Sequence, residues 1–131
     1  MPIDVAIAIV LSGGRILIAR RPESAELGGY WEFPGGKCRE GELAEQCVVR
    51  EVREEVSLIV RPIRVLPPID WHYEHANVRL HPFLCEKCGG KERALWADEL
   101  RWIAPEELRQ YRFPPANAAL IEELQRTLSA P

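Results

Sequence analysis

The run Gly36 to Leu58, GKCREGELAEQCVVREVREEVSL, constrains this chain more than any other segment. Positions i, i+3 and i+4 share one face of an α-helix, because about 3.6 residues complete a turn. Glu51, Glu54 and Glu55 stand in that relation, so a helix over about 43–56 projects three carboxylates from one strip. The same helix carries an apolar face of Ala44, Val48, Val49, Val52 and Val56, which must be buried. The acidic strip lies beside that face rather than opposite it, at the rim of the core. Like charges at this spacing repel one another. Acidic strips on solvated helices are common, but basic residues usually dilute them. Here Arg53 projects to the other flank and only Arg50 can brace the cluster. A bound cation is the expected compensation, and hard divalent ions such as Mg²⁺ take carboxylate oxygens and share them with phosphates.

The segment before the helix adds a second constraint. Phe33-Pro34-Gly35-Gly36-Lys37 is stiff and then flexible, since proline fixes φ and paired glycines let backbone approach closely. Such a loop can turn carbonyl oxygens toward a metal or amides toward phosphate. Gly41-Glu42 reads as a helix entry with acid in the first turn, where the helix dipole favours it.

Elsewhere the chain alternates strands with turns. Residues 3–11 and 15–20 read as strands joined at Ser12-Gly13-Gly14, and 22–30 as a loop. Residues 58–60 and 63–66 read as extended segments broken by proline. Residues 71–75 and 77–85 form an expected pair, 100–103 a short strand, Pro105 a helix start, and 116–128 a packed C-terminal helix. Strands, helix, strands, helix fit an α/β mixed sheet between helices, as one domain over 1–131. The net charge of −3, with no basic block, argues against gripping polymeric nucleic acid. No apolar stretch is long enough to span a bilayer and the N-terminus lacks a signal-peptide pattern, so a membrane role is not expected. Cys38 and Cys47 read as free thiols. Cys85-Glu86-Lys87-Cys88-Gly89-Gly90 resembles half a zinc knuckle without partners, and is read as a hairpin turn with two incidental thiols. Free cysteines without an export signal suggest a reducing cytoplasm.

The spacing of the central run, Gly36, five residues, Glu42, seven residues, Arg50-Glu51-Val52, any residue, Glu54-Glu55, resembles the Nudix box of the nucleoside-diphosphate-X hydrolases. Outside it, Arg20-Arg21-Pro22, the stretch Gly29 to Lys37, and Phe113-Pro114-Pro115-Ala116-Asn117 resemble the MutT-like branch, the nucleoside triphosphate pyrophosphohydrolases. The resemblance implies a Nudix-type α/β/α sandwich with a mixed β-sheet. It implies Mg²⁺, with Mn²⁺ as a substitute, held by Glu51, Glu54, Glu55 and the carbonyls of Gly35 or Gly36. Glu51 and Glu54 then serve catalysis, with Glu51 either binding metal or accepting a proton from water, and Arg50 holds the carboxylates in place. Glu42 is assigned a supporting structural role or a metal contact through water. Arg21, Phe33, Lys37, Arg79 and Asn117 are the implied substrate contacts, with Asn117 on the base. The implied reaction converts a nucleoside triphosphate, with an oxidised guanine nucleotide as one candidate, to a nucleoside monophosphate and pyrophosphate. Other nucleoside diphosphate-X substrates, including nucleotide sugars, dinucleoside polyphosphates and pyrimidine triphosphates, stay open, as does a binding module without turnover. The oligomeric state is left open.

Two departures from the pattern stand out. The box ends in Ser57-Leu58 where the family has Gly-apolar. Many members also carry a late acidic residue near the place that Trp96 or Ala97 occupies here, with Asp98 and Glu99 offset, so the general base is undefined. Trp96 is read as packing or, alternatively, as a stacking platform for a base. His72, His75 and His81 are read first as structural or exposed.

Overall fold

The computed structural model describes residues 2–128. Nine of its elements frame the site. They are the strands β1 (Ile3–Ser12), β2 (Arg15–Arg20), β3 (Trp31–Glu32), β4 (Gly35–Lys37), β5 (Leu58–Val65), β6 (Ile69–His72), β7 (Asn77–Gly90) and β8 (Glu99–Ile103), and the helix α1 (Ala44–Val56). A 3₁₀ segment, Pro105–Gln110, follows β8. A second, Pro115–Asn117, leads into α2 (Ala118–Leu128).

The strands form one mixed sheet in the order β3-β2-β1-β7-β5, with β4 also on β1, β6 on β7 and β8 on β2. Only β1 and β7 run parallel, from Ile3 opposite Val78 to Leu11 opposite Glu86. β1 meets β2 at Leu11 and Ser12, and meets β4 at Val5 to Ile7.

The central strand explains the layering. Its side chains alternate between faces, and both faces are buried. Ala6, Ala8 and Val10 point to the side where α1 lays down Cys47, Val48, Val52 and Val56. The two alanines let the helix approach closely. Ile7 and Ile9 point the other way, into a core with Trp31, Phe33, Leu108, Leu120, Ile121 and Leu124. Burying side chains of this size contributes about 1.5–3 kcal/mol each. The sheet therefore lies between α1 and α2, the mixed sandwich expected.

Several local expectations change. α1 ends on Ser57 in the left-handed region, φ 63° and ψ 29°, its N–H bonding Arg53 O at 3.0 Å. Serine thus performs a turn that glycine adopts without steric cost. The two proline-broken segments are one strand, β5, because Pro62 falls at a register shift on an outer strand that tolerates its missing N–H. The hairpin turn expected at Cys85 to Gly90 is replaced by continuing strand: β7 runs on through a register shift at Cys88, with Gly89 and Gly90 opposite Ile59 and Leu58. Cys85 is buried there and Cys88 is exposed. The helix expected from 116 begins as 3₁₀ and becomes α-helical at Ala118.

Candidate active site

β4 and α1 build one edge of the site. β4 hydrogen-bonds to β1, and α1 packs behind both, so the glutamate strip emerges over the Gly35-Gly36 backbone. Side chains are excluded at those glycines. A Cβ on Gly35 would sit 2.1 Å from the Ala6 carbonyl oxygen, and one on Gly36 would sit 2.3 Å from Glu51 Oε2. Gly35 N–H donates to Glu55 Oε2 at 3.0 Å. The Gly36 carbonyl accepts from Cys47 Sγ at 3.7 Å, which leaves the Gly35 carbonyl as the better placed backbone oxygen of the pair.

Arg50 is the strut of this edge. Its Nε and Nη2 donate to the two carboxylate oxygens of Glu42, each at 2.8 Å. Its Nη1 donates to Glu51 Oε1 at 2.8 Å and to Glu54 Oε2 at 3.0 Å, and Nη2 also reaches Lys37 O at 3.2 Å. A planar guanidinium with five donors can serve all of these at once, which a lysine cannot. Glu42 is thereby held down to about 2, first by the Arg50 hydrogen bond and then by the Arg39 amide. The Glu42 carboxylate in turn holds two of the Arg50 donors.

Glu55 lies on the inner side and receives no such help. Burial, then the carboxylates of Glu32 and Glu51, push it up to about 8, against the opposing Gly35 hydrogen bond and Arg21 charge. Glu32 is also raised by burial, although Arg21 Nη1 bonds it at 2.7 Å. Arg21 is anchored further by Nε on the Glu26 carbonyl at 2.7 Å, and its guanidinium lies 5.1 Å from the Trp96 ring centre.

This edge opens onto a cavity of about 890 Å³. Its floor is the apolar start of the β1–β7 pair, with Ile3, Val5, Ile7, Val78 and Leu80. Phe33 stands beside it, buried and stacked on Phe113 with ring centres 5.0 Å apart. At the far wall lies Asn117, the one buried polar residue of the described chain, 8% exposed. The 3₁₀ turn fixes it through its N–H on Pro114 O at 2.9 Å. Among the described residues its side-chain amide makes no hydrogen bond, so donor and acceptor both stay available in the cavity.

Of the residues expected from sequence, the fold brings Glu51, Glu54, Glu55, Gly35, Gly36, Arg21, Phe33, Lys37 and Asn117 to this cavity, with Arg50 behind them. Arg79 is not brought there. It alternates with the floor residues Val78 and Leu80, so it faces away and pairs with Asp70 at 2.7 Å. Trp96 does line the cavity, 44% exposed. Asp98 and Glu99 do not: Asp98 N–H caps Arg20 O at 3.0 Å, and Glu99 pairs with Arg101 at 2.5 Å. His72 contacts Asn77 and His81 contacts Asp4, while His75 is exposed at the cavity mouth. Sequence reasoning missed Glu32 as a site residue. Its signal was an acid between the aromatic residues Trp31 and Phe33, directly before the Gly-Gly loop.

The donor set is suited to a hard divalent ion: carboxylates and a backbone carbonyl, with an inner carboxyl, Glu55, in no ion pair among the described residues. As the side chains stand, no three acidic, cysteine or histidine groups among the described residues converge on one point. Arg50 engages one oxygen each of Glu51 and Glu54.

Comparison with known proteins gives the lineage. The family model for the NUDIX domain matches residues 5–123. The chain belongs to the Nudix family, on its MutT-like branch. It is accordingly a hydrolase of phosphoanhydride bonds, a class of enzyme that generally uses divalent metal ions. It is 33% identical over 120 residues to the CTP pyrophosphohydrolase of Escherichia coli K12, covering 92% of this chain and 89% of that protein. It is 30% identical over 125 residues to the 8-oxo-dGTP diphosphatase of the same strain, covering 95% and 97%. The solution structure of the E. coli ORF135 protein superposes with a TM-score of 0.84 at 32% identity, covering 98% of this Nudix chain and 94% of that one. No helix among the described residues is long and apolar enough to cross a membrane.

Proposed function

We propose that this Nudix hydrolase, acting as one domain over residues 1–131, cleaves a free nucleoside triphosphate to the monophosphate and pyrophosphate with Mg²⁺, which Mn²⁺ can replace. The observation that carries this reading is the two-ended cavity. One end is a carboxylate edge over a side-chain-free backbone; the other is an apolar floor ending in a buried amide with no hydrogen-bond partner among the described residues. A triphosphate needs charge neutralisation at one end and an apolar slot with directional hydrogen bonds at the other. A polymer would need a basic track, which a chain of net charge −3 does not offer.

Glu51, Glu54 and Glu55, with the Gly35 carbonyl, would hold the ion. When bound it neutralises phosphate charge and acidifies water. The chain's own groups do the rest. Arg50 fixes the outer carboxylate oxygens and limits their reorganisation. Glu51 and Glu55 are the carboxylates placed to accept the proton of attacking water, since the loop at Trp96 supplies none. Arg21 and Lys37 face the phosphate chain, and Phe33, Trp96 and Asn117 bound the nucleoside. Catalysis of this kind rests on positioning and electrostatics.

Two relatives frame the choice of base. The similarity to a CTP pyrophosphohydrolase supports a pyrimidine triphosphate, and that to 8-oxo-dGTP diphosphatases supports an oxidised purine. Competing hydrolysis of CTP, dCTP, dGTP, 8-oxo-dGTP and a nucleotide sugar by wild type and Asn117→Ala tests the assignment. A base preference that Asn117→Ala alters is expected. Unchanged preference would remove Asn117 from recognition, and preferred cleavage of the sugar nucleotide would overturn the triphosphate assignment.

A further inference from the structure

A second hollow, of about 380 Å³, lies apart from the active-site cavity and shares no lining residue with it. Arg21 and Glu32 line the cavity, while their neighbours Arg20 and Trp31 line the hollow. The sheet sets the side chains of the hollow in a row. Arg20 lies opposite Trp31 on β3 and opposite Glu99 on β8, and directly opposed residues share a face. Arg101 follows Glu99 by two residues along β8, so it shares that face. Arg112 joins them because its carbonyl accepts the Trp31 N–H at 2.8 Å. Three guanidiniums thus gather in a chain of net charge −3, with Glu99 as the one lining carboxylate among the described residues.

Like charges repel, so something must hold these groups together. Aromatic rings do much of it. Arg101 lies 5.0 Å from the Trp31 ring centre and 5.7 Å from that of Tyr111, and the two rings meet edge to face at 5.2 Å. Arg112 lies 4.2 Å from the Tyr30 ring centre. Stacking of this kind leaves the guanidinium edges free to donate and fixes them before a ligand arrives. Few of those donors are spent. Arg20 Nη2 bonds Glu23, outside the lining, at 2.9 Å. Arg101 Nε bonds Glu99 at 2.5 Å and its Nη1 reaches the Tyr111 hydroxyl at 3.4 Å. Arg112 has no side-chain hydrogen bond or ion pair among the described residues. Each guanidinium carries five donors, so most of the fifteen or so face no protein acceptor.

We propose that this hollow is a second, metal-independent anion site that binds a compact polyphosphate, with inorganic pyrophosphate as its ligand, through Arg20, Arg101 and Arg112. Guanidiniums pair with phosphate oxygens through two parallel N–H donors, and two joined phosphoryl groups can engage three arginines where one cannot. The hollow is small, within the size range of single-molecule sites and too confined for a folded partner. It offers charge rather than a stacking face. Trp31, Tyr111 and Tyr30 each already carry a guanidinium, so the ligand recognised has no base. Pyrophosphate is also the product of the proposed reaction. That link rests on the proposed function; the binding itself does not.

The test is calorimetric titration of the full chain with sodium pyrophosphate in EDTA, where no divalent ion can bridge the anion to the carboxylate edge. The expected result is a single site with Kd below about 1 mM. Arg112→Gln should weaken it about tenfold or more, with the fold retained by circular dichroism. Glu99→Gln removes the carboxylate that competes for Arg101 and should tighten binding about threefold, an outcome that a merely structural role for the pair does not give. Lys37→Gln, in the active-site cavity, should bind pyrophosphate as wild type does. Orthophosphate and cytidine monophosphate should both bind more weakly than pyrophosphate. No binding up to about 10 mM overturns the proposal, as does wild-type affinity in a folded Arg112→Gln. Unchanged or weaker binding in Glu99→Gln overturns it independently, should Arg112→Gln fail to fold. Loss of binding in Lys37→Gln places the anion in the active site and overturns the second site. Tighter binding of cytidine monophosphate overturns the ligand class. A chain that hydrolyses nothing still reports this binding, and a working hydrolase without it leaves the proposed function standing, so the two readings fail separately.

Discussion

Glu55→Gln should make the metal-free protein more stable and the enzyme nearly inactive. In the fold, Glu55 moves from its ordinary 4.5 to about 8, through burial first and the Glu32 carboxylate second. A carboxyl raised by folding binds more protons in the native state than in the unfolded chain between those values. Stability is therefore greatest at low pH and is lost as pH rises through that window. From near pH 5 to near pH 8 the loss is about 3 kcal/mol as an upper bound, and about 2 kcal/mol once the partial exposure of the side chain is allowed for. Glutamine keeps an oxygen for the Gly35 N–H and carries no charge, so the variant should lose none of this. The assay is urea unfolding in EDTA at the two pH values, comparing the difference between the proteins so that the histidines cancel. The variant should unfold about 1 M urea later than wild type near pH 8, with the gap nearly closed near pH 5. Added Mg²⁺ should stabilise wild type more than the variant. A variant equal to or weaker than wild type near pH 8 in EDTA would refute the claim that burial and neighbouring carboxylates outweigh the Arg21 charge at this carboxyl.

Further expectations concern single groups. Glu54→Gln removes a proposed metal ligand and should lower turnover on the order of 10²-fold, read as pyrophosphate release; near-normal turnover would contradict its role. Arg50→Lys cannot serve Glu42, Glu51 and Glu54 together, so activity should fall about tenfold or more while the fold persists by circular dichroism. Ser57→Gly relieves a left-handed residue at the end of α1 and should raise stability by about 1 kcal/mol in chemical unfolding, with unchanged kinetics. Trp96→Ala should raise KM for the preferred nucleotide more than it lowers kcat, because Trp96 lines the cavity and the Arg21 guanidinium lies over its ring.

Much of the site was legible because it is local. Glu51, Glu54 and Glu55 share a helix face by spacing alone, and Arg50 lies within about one turn of Glu51 and Glu54, the two it bonds. The Gly35-Gly36 pair announced a close approach, and the approach is to Glu51 and Ala6. What sequence could not supply was contact between distant segments. Nothing in the spacing of Glu32 and Glu55 says that they share one buried edge. Arg79 was misplaced because its face depends on β7's register against β1, which sequence does not set. The Cys85 to Gly90 turn was misread because glycine pairs usually end strands, whereas here Gly89 and Gly90 extend β7 along the start of β5. Ser57 stood where glycine was expected, and the chain adopted the glycine conformation regardless.

The most direct test of the account is product analysis of triphosphate hydrolysis with and without Mg²⁺. The account predicts nucleoside monophosphate and pyrophosphate in equal amounts with Mg²⁺, and no turnover in EDTA. Nucleoside diphosphate with orthophosphate, or turnover that persists without the metal, would contradict it.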